Sequence, residues 1–260
     1  MKKALMILFL ALVGMSLSTC TDKEPQKTDG TADSDTLDYE YADQVAVRGD
    51  CNGQPCVQIK LVYPHFQTDN TVSKMIMTDL DARLYQSFYT DNVLGSIEVL
   101  ADSIYRAHQQ IPNNSMAWTL NRSVDMLHMN NVITYSFTEI SALGGAHPNT
   151  QVTLVNRDAE TGLLLKMDDF LLDNAREKLM QKVETAFRNA NNLSSDASLT
   201  EAGFWFEEGF KLPENYGLVD DGMLFYYNTY KVAPYAMGKT EFVIPYYELE
   251  SVIRPMYITN

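Results

Sequence analysis

The stretch AWTLNRSVDMLHMNNVITYSF, from Ala117 to Phe137, decides the fold class. Trp118, Leu120, Val124 and Met126 stand at even spacings in a run that ends at His128, the period of a half-buried strand. Asn130-Asn131 tolerates positive φ, and Val132 to Phe137 resumes the strand, so the stretch reads as a β-hairpin. Upstream the period changes. Val72, Met75, Ile76, Leu80, Leu84 and Phe88 recur at three- and four-residue steps, which predicts an amphipathic helix with Asp69-Asn70 as cap candidates. A second helix is expected over Gly95 to Gln109, with Ile97, Leu100, Ala101 and Ile104 inward, stopping before Pro112.

Downstream, Thr150 to Val155 reads as a strand, Asp158 to Gly162 as a turn and Leu163 to Leu165 as its continuation. Ala175, Leu179, Val183, Phe187 and Ala190 mark another helix, with Asp173 as its cap candidate. Strands at Met223 to Tyr230 and Glu241 to Ile244 follow, and Pro245 opens a short helix over Tyr246 to Ser251. No internal repeat is present. Helices and hairpins in blocks predict an α+β fold, antiparallel sheets packed with helices, rather than a parallel doubly wound sheet.

The amino terminus reads as a bacterial lipoprotein signal. Lys2 and Lys3 precede the apolar run Ala4 to Val13, which is too short to span a bilayer, and Leu17-Ser18-Thr19 leads into Cys20. Residues 1–19 would be removed and Cys20 lipidated, which places the protein in the bacterial cell envelope, anchored to a membrane. The acidic Asp22-Lys23-Glu24 start is of the kind that directs some lipoproteins to the cell exterior, so the outer membrane is the expected site. Residues 20–43 are polar and acidic and are expected to form a flexible tether. Residues 44–140 then form an N-terminal half and residues 141–260 a C-terminal half.

Formal net charge is −14, and no basic stripe offsets it, so nucleic-acid binding is not expected. A cationic partner, by contrast, would be drawn in. With Cys20 lipidated, Cys51 and Cys56 remain as a pair around the turn Asn52-Gly53-Gln54-Pro55. Strand-like Val45 to Arg48 and Val57 to Tyr63 flank it, so a disulfide across a hairpin neck is the simplest account. A redox or metal site is the rival, without the Cys-x-x-Cys spacing that would favour it.

Enzyme signatures are absent: no Gly-x-Ser-x-Gly elbow, no His-Glu-x-x-His and no phosphate-binding glycine loop. His65, His108, His128 and His147 lie far apart, so no metal site and no cofactor are expected. Asp168-Asp169, Glu207-Glu208 and Asp220-Asp221 are adjacent pairs and read as caps, turns or solvated surface.

Two segments stand out. In Gly144-Gly145-Ala146-His147-Pro148-Asn149-Thr150 the paired glycines permit positive φ and Pro148 restrains His147. The segment is either a well-specified hairpin loop or a binding loop presenting His147 and Asn149. Phe225-Tyr226-Tyr227-Asn228-Thr229-Tyr230 leads into Val232-Ala233-Pro234-Tyr235-Ala236-Met237-Gly238. It reads either as core strand and turn or as an aromatic recognition patch.

These segments also carry a resemblance. GGAHPNT, the turn ending Thr161-Gly162 with Leu163 to Phe170 after it, and FYYNTYKVAPYAMGKTEFVIPYYEL at Phe225–Leu249 resemble the envelope domain of RsiV-type anti-sigma factors. The same domain forms the non-catalytic N-terminal region of PdaC-type peptidoglycan deacetylases. The resemblance spans about Val45 to Pro255 and implies an α+β binding or sensing module, in the anti-sigma factors one that binds lysozyme. The chain departs from both in having no transmembrane and cytoplasmic anti-sigma segment and no deacetylase domain. Pro148 also stands where the family often has Gly.

The expectation is a lipid-anchored envelope binding protein, not an enzyme, whose partner is lysozyme or a similar cationic muramidase. His147, Asn149, Tyr230, Pro234 and Tyr235 are the candidate contacts, with Gly144, Gly145 and Gly238 enabling the backbone. A peptidoglycan fragment or other glycan stacking on the same rings is the alternative. A hydrolase using an acidic pair is a third reading.

Overall fold

The computed structural model describes residues 37–52, 55–112 and 116–258. The expected signal peptide, the lipidation site Cys20 and most of the tether lie outside them, as do Gly53 and Gln54 of the disulfide turn.

Five strands form the larger sheet in sequence order: β1 (Tyr39–Gly49), β2 (Cys56–Phe66), β3 (Trp118–Met129), β4 (Val132–Ala142) and β5 (Asn149–Asp158). β1 begins inside the stretch assigned to the tether, so Tyr39 to Asp43 belong to the fold. The apolar minority of that acidic run explains it. Tyr39 packs on Phe66 at 5.7 Å between ring centroids, while Asp43 pairs with Lys60 at 3.0 Å. A disulfide joins Cys51 to Cys56 with Cα atoms 5.2 Å apart, and the register beside it pairs Gly49 with Cys56.

All neighbouring strands of this sheet run antiparallel except β2 and β3, which are parallel, with Ile59 opposite Leu120. The expected sheet was antiparallel throughout. The exception follows from the connection, because α1 (Thr71–Leu84) and α2 (Ile97–Gln109) lie between the two strands and return the chain to its starting end. Asn70 caps α1, its side chain accepting from the Ser73 N–H at 2.8 Å while Ser73 Oγ accepts from the Asn70 N–H. The helix ends at Leu84, short of Phe88, which is exposed in the following loop. Ser96 caps α2, whose Leu100, Ala101 and Ile104 are fully buried as the spacing predicts. These residues join Ile59, Leu61, Leu120, Val124 and Tyr135 in one core.

A polar network crosses that core. The Asp79 carboxylate accepts from Tyr135 OH at 2.7 Å and Arg83 Nε at 2.8 Å, and Arg157 Nε donates to Tyr135 OH at 3.1 Å. Arg157 also donates to the Gly162 carbonyl at 2.7 Å. Burial pushes the Asp79 carboxyl upward, but the donors from Arg83 and Tyr135 outweigh it and hold the group below its usual range. Nearby, Arg122 is buried and donates to the carbonyls of Leu84 and Gln86 while pairing with Glu139 at 2.8 Å. It thereby satisfies a carbonyl left open at the end of α1.

The smaller sheet has the order β6 (Asn215–Val219), β7 (Gly222–Tyr227), β8 (Thr240–Pro245) and is antiparallel throughout. With α3 (Met167–Phe170), α4 (Arg176–Ala190) and α5 (Tyr246–Leu249) it builds a second core around Phe170, Leu179, Val183, Leu218, Phe225 and Ile244. α4 has Ala175 as its N-cap rather than Asp173, with no side-chain cap bond. The fold is thus α+β. Among the described residues no helix is long and apolar enough to cross a membrane.

Side-chain amides link the two sheets. β5 ends the larger sheet, and the Asn228 carboxamide closes on Val152, accepting from its N–H at 2.8 Å and donating to its carbonyl at 2.7 Å. Asn215 donates to the same carbonyl at 2.6 Å and accepts from the Leu154 N–H at 3.3 Å. Asn156 donates to the Tyr216 carbonyl at 2.8 Å. Gly217 lets the strands close up, since a Cβ there would lie 2.6 Å from Thr134 Cγ2.

Candidate functional site

Asn228 also sets the course of the aromatic segment. β7 ends at Tyr227, three residues before the expected end, because the Asn228 side chain turns back to β5. Its own carbonyl accepts from the Lys231 N–H at 3.0 Å, closing a turn in which Tyr230 has φ +67°. That third turn position ordinarily belongs to glycine. The left-handed conformation costs tyrosine about 1 kcal/mol or more, and here it aims the ring outward, 58% exposed.

Pro234 then precedes a single 3-10 turn, Tyr235–Met237, which Gly238 closes at φ +72° with its N–H on the Tyr235 carbonyl at 2.9 Å. From the other side comes the loop between β4 and β5. Gly144 has φ +86° and lies so close to Trp118 that a Cβ would sit 3.2 Å from Nε1. Gly145 stays outside the left-handed region and would tolerate a Cβ, so only one of the pair enables the backbone in the way expected.

The two loops meet in a stack. His147 lies parallel to Tyr235, with ring centroids 5.0 Å apart and 12° between planes, and Tyr230 leans on Tyr235 at 5.5 Å and 36°. All three are exposed, Tyr235 at 39%. Pro234 lies beside them in sequence and is exposed. Asn149 is exposed at the start of β5, where its Oδ1 accepts from Gln151 Nε2 at 3.4 Å, and it makes no ring contact. The structure therefore joins His147, Tyr230 and Tyr235 directly and leaves Asn149 at their margin.

A small aromatic core holds this ledge from below. Phe204, Phe206, Phe210, Tyr227 and Phe242 all place their ring centroids 4.9–6.5 Å from that of Phe187, and Ala233 is buried among them. The Trp205 N–H donates to the Val232 carbonyl at 2.8 Å, which ties the loop after Gly203 to the ledge. Trp205, 45% exposed, and Met237 are further exposed apolar side chains on the segments joined there and were not among the expected contacts. An exposed tryptophan between two buried phenylalanines, Phe204 and Phe206, is the alternation that could have marked it. The flanking lysines are each tied to a glutamate, Lys231 to Glu214 at 3.8 Å and Lys239 to Glu241 at 2.6 Å.

The remaining candidates are dispersed. His108 is buried with Nε2 2.8 Å from the Met116 carbonyl oxygen, and His128 is buried near Asp220, its pKa lowered by burial against that charge. Asp168-Asp169 opens α3, with Asp169 accepting from the Lys166 N–H at 2.7 Å, and Asp220-Asp221 joins β6 to β7. Among the described residues no group of three or more His, Cys, Asp or Glu side chains could hold a metal ion.

Residues 168–247 match DUF3298, a family described as proteins of unknown function. The fold is similar to a crystal structure of a DUF3298 family protein from Pseudomonas aeruginosa PAO1. The TM-score is 0.65 and identity 18%, over 85% of this chain and 96% of that one. It is likewise similar to a DUF3298 member from Bacteroides fragilis NCTC 9343, with TM-score 0.66 and 22% identity over 85% and 97% of the two chains. No curated protein matches the sequence.

Proposed function

We propose that the protein is a binding module of the cell envelope, and that the ledge of His147, Tyr235 and Tyr230 is its recognition surface. The observation that carries this reading is the strained placement of Tyr230. A backbone conformation that disfavours tyrosine is kept to hold an aromatic ring in solvent, where it contributes little to folding. An open ledge of tyrosine and histidine, with the exposed Met237 on the same turn as Tyr235, suits a protein surface better than an enclosed small molecule.

The partner we propose is lysozyme or a similar cationic muramidase. The resemblance to the RsiV-type envelope domain supports it, and so does the charge of the chain, −14, which would speed encounter with a basic protein. Lipidation at Cys20 would hold the module on the outer membrane, facing such enzymes. In this role it is a capturing protein rather than a catalyst. A peptidoglycan fragment stacking on the ledge is the second reading, favoured by the free flank of Tyr230.

Calorimetric titration of the purified protein with hen lysozyme at low and physiological salt tests the proposal. One-to-one binding that weakens with salt, and that falls at least tenfold in a folded His147→Ala, Tyr235→Ala double variant, is expected. Binding at full affinity by that variant would remove the ledge from the site. Salt-independent binding of muropeptides without lysozyme binding would move the assignment to the glycan.

A further inference from the structure

A second surface lies along the outer edge of the smaller sheet. β8 is its edge strand, bonded to β7 on one side only, and among the described residues no backbone partner lies along its outer side between Glu241 and Ile244. Helix α4 runs beside that edge, and the two enclose a groove of about 590 Å³. The strand lends Phe242 and Ile244, and the helix lends Ala186 and Ala190, whose small side chains leave the space open. The Thr240 hydroxyl lies 3.4 Å from Asn191 Oδ1, so the start of β8 adjoins the end of α4 and the two elements are antiparallel. Lys178 and Lys182, one helical turn apart, therefore stand at the Pro245 end of the groove.

Those two lysines belong to a minority: among the described residues only they, Lys166, Arg106 and Arg254 lack a carboxylate partner, and only they stand together. Most cationic side chains of the described residues are engaged: Arg48, Arg83, Arg122, Arg157, Arg176 and Arg188 all pair with carboxylates. Lys178 and Lys182 pair with none, in a chain of net charge −14, although Glu248 lines the same end of the groove. An unpaired strand edge supplies main-chain donors and acceptors in a row, and a helix alongside it makes a slot for an extended segment. Pro245 bounds the edge, so a few residues of a guest strand would fill it.

We propose that this groove accepts an extended peptide of another protein as a fourth strand, antiparallel to β8, with acidic residues at its N-terminal end against Lys178 and Lys182. The site is separate from the aromatic ledge, and neither reading depends on the other.

Fluorescence anisotropy with the peptide Glu-Glu-Val-Thr-Val-Thr-Val, labelled at its C-terminus, tests it against a Lys-Lys counterpart. The acidic peptide binds saturably and at least tenfold more tightly. Charge reversal in a K178E, K182E variant inverts that order, and Ala190→Phe, on the exposed face of the last turn of α4, abolishes binding without lowering the melting temperature. N-methylating alternate peptide amides in one register abolishes binding while the other register is tolerated, as strand addition requires. Tyr235→Ala leaves the peptide isotherm unchanged. Equal affinity for the two peptides, indifference to the lysine reversal, or no saturable binding up to about 1 mM would each overturn the proposal.

Discussion

His147 and Tyr235, carried by loops from the two different sheets, lie face to face with their centroids 5.0 Å apart and only 12° between planes. The contact fixes the orientation of an imidazole that is otherwise exposed. A parallel ring places the His147 protons in the shielding cone of the phenol, so their NMR resonances should lie upfield of free histidine. Tyr235→Ala should return them to ordinary positions while the rest of the spectrum barely moves. Unshifted His147 protons in the native protein would mean that the stack does not persist in solution.

Tyr230→Gly separates strain from recognition. Removing the side chain relieves the left-handed backbone, and glycine in turn brings a more flexible unfolded chain, so stability should change by less than about 1 kcal/mol. Affinity for the ledge's partner should fall by at least tenfold. A urea midpoint that drops sharply would instead make Tyr230 a structural residue, and the strain argument would lose its force.

Asn228 should matter more than an ordinary surface-loop amide. Its carboxamide makes both bonds to the Val152 backbone, so Asn228→Ala leaves two edge groups short of a partner, partly relieved at the carbonyl by Asn215. A loss of about 2–3 kcal/mol is expected in urea unfolding. Asn228→Asp should fare no better at neutral pH, since a carboxylate can accept from the N–H but cannot donate to the carbonyl.

The Asp79 network makes a pH-dependent contribution. Its folded pKa lies below the unfolded carboxylate value of about 3.9, so the stability it supplies is fully present above that value. It is lost as pH falls through the lower, folded pKa. Stability measured from pH 7 to pH 2 should therefore show the gap between the native protein and Asp79→Asn closing in acid. A gap that is constant across this range would show that the carboxylate charge is not what the network uses.

The paired glycines should respond unequally. Gly144→Ala forces a Cβ onto a left-handed backbone against Trp118 and should cost about 1–2 kcal/mol, whereas Gly145→Ala, with only an ordinary contact to the His147 carbonyl, should be near neutral. Thermal melts of the two single variants decide it.

Much of this was legible because periodicity reports burial. The inward residues of α2 and the hairpin of β3 and β4 follow directly from spacing. What spacing missed was set by distant partners. β6 is five residues with a glycine at its centre, too short and too plain to announce itself, and it is a strand because Gly217 nests against Thr134 and Asn156. The parallel pairing of β2 with β3 depends on where two helices return the chain, which no local pattern encodes. Of the site, the sequence offered His147, Tyr230 and Tyr235 in two separate segments but not their stack, and Trp205 belonged to neither segment.

The amide closure of β5 has a further consequence for incomplete chains. The five strands of the larger sheet end by residue 158, but Asn215 and Asn228, which cover Val152 and Leu154, belong to the segment that follows. A chain cut between the two sheets keeps every strand of the first and loses the cover of its last edge, the kind of surface on which chains pair with one another. A fragment ending near residue 165 should therefore self-associate more strongly than the full chain.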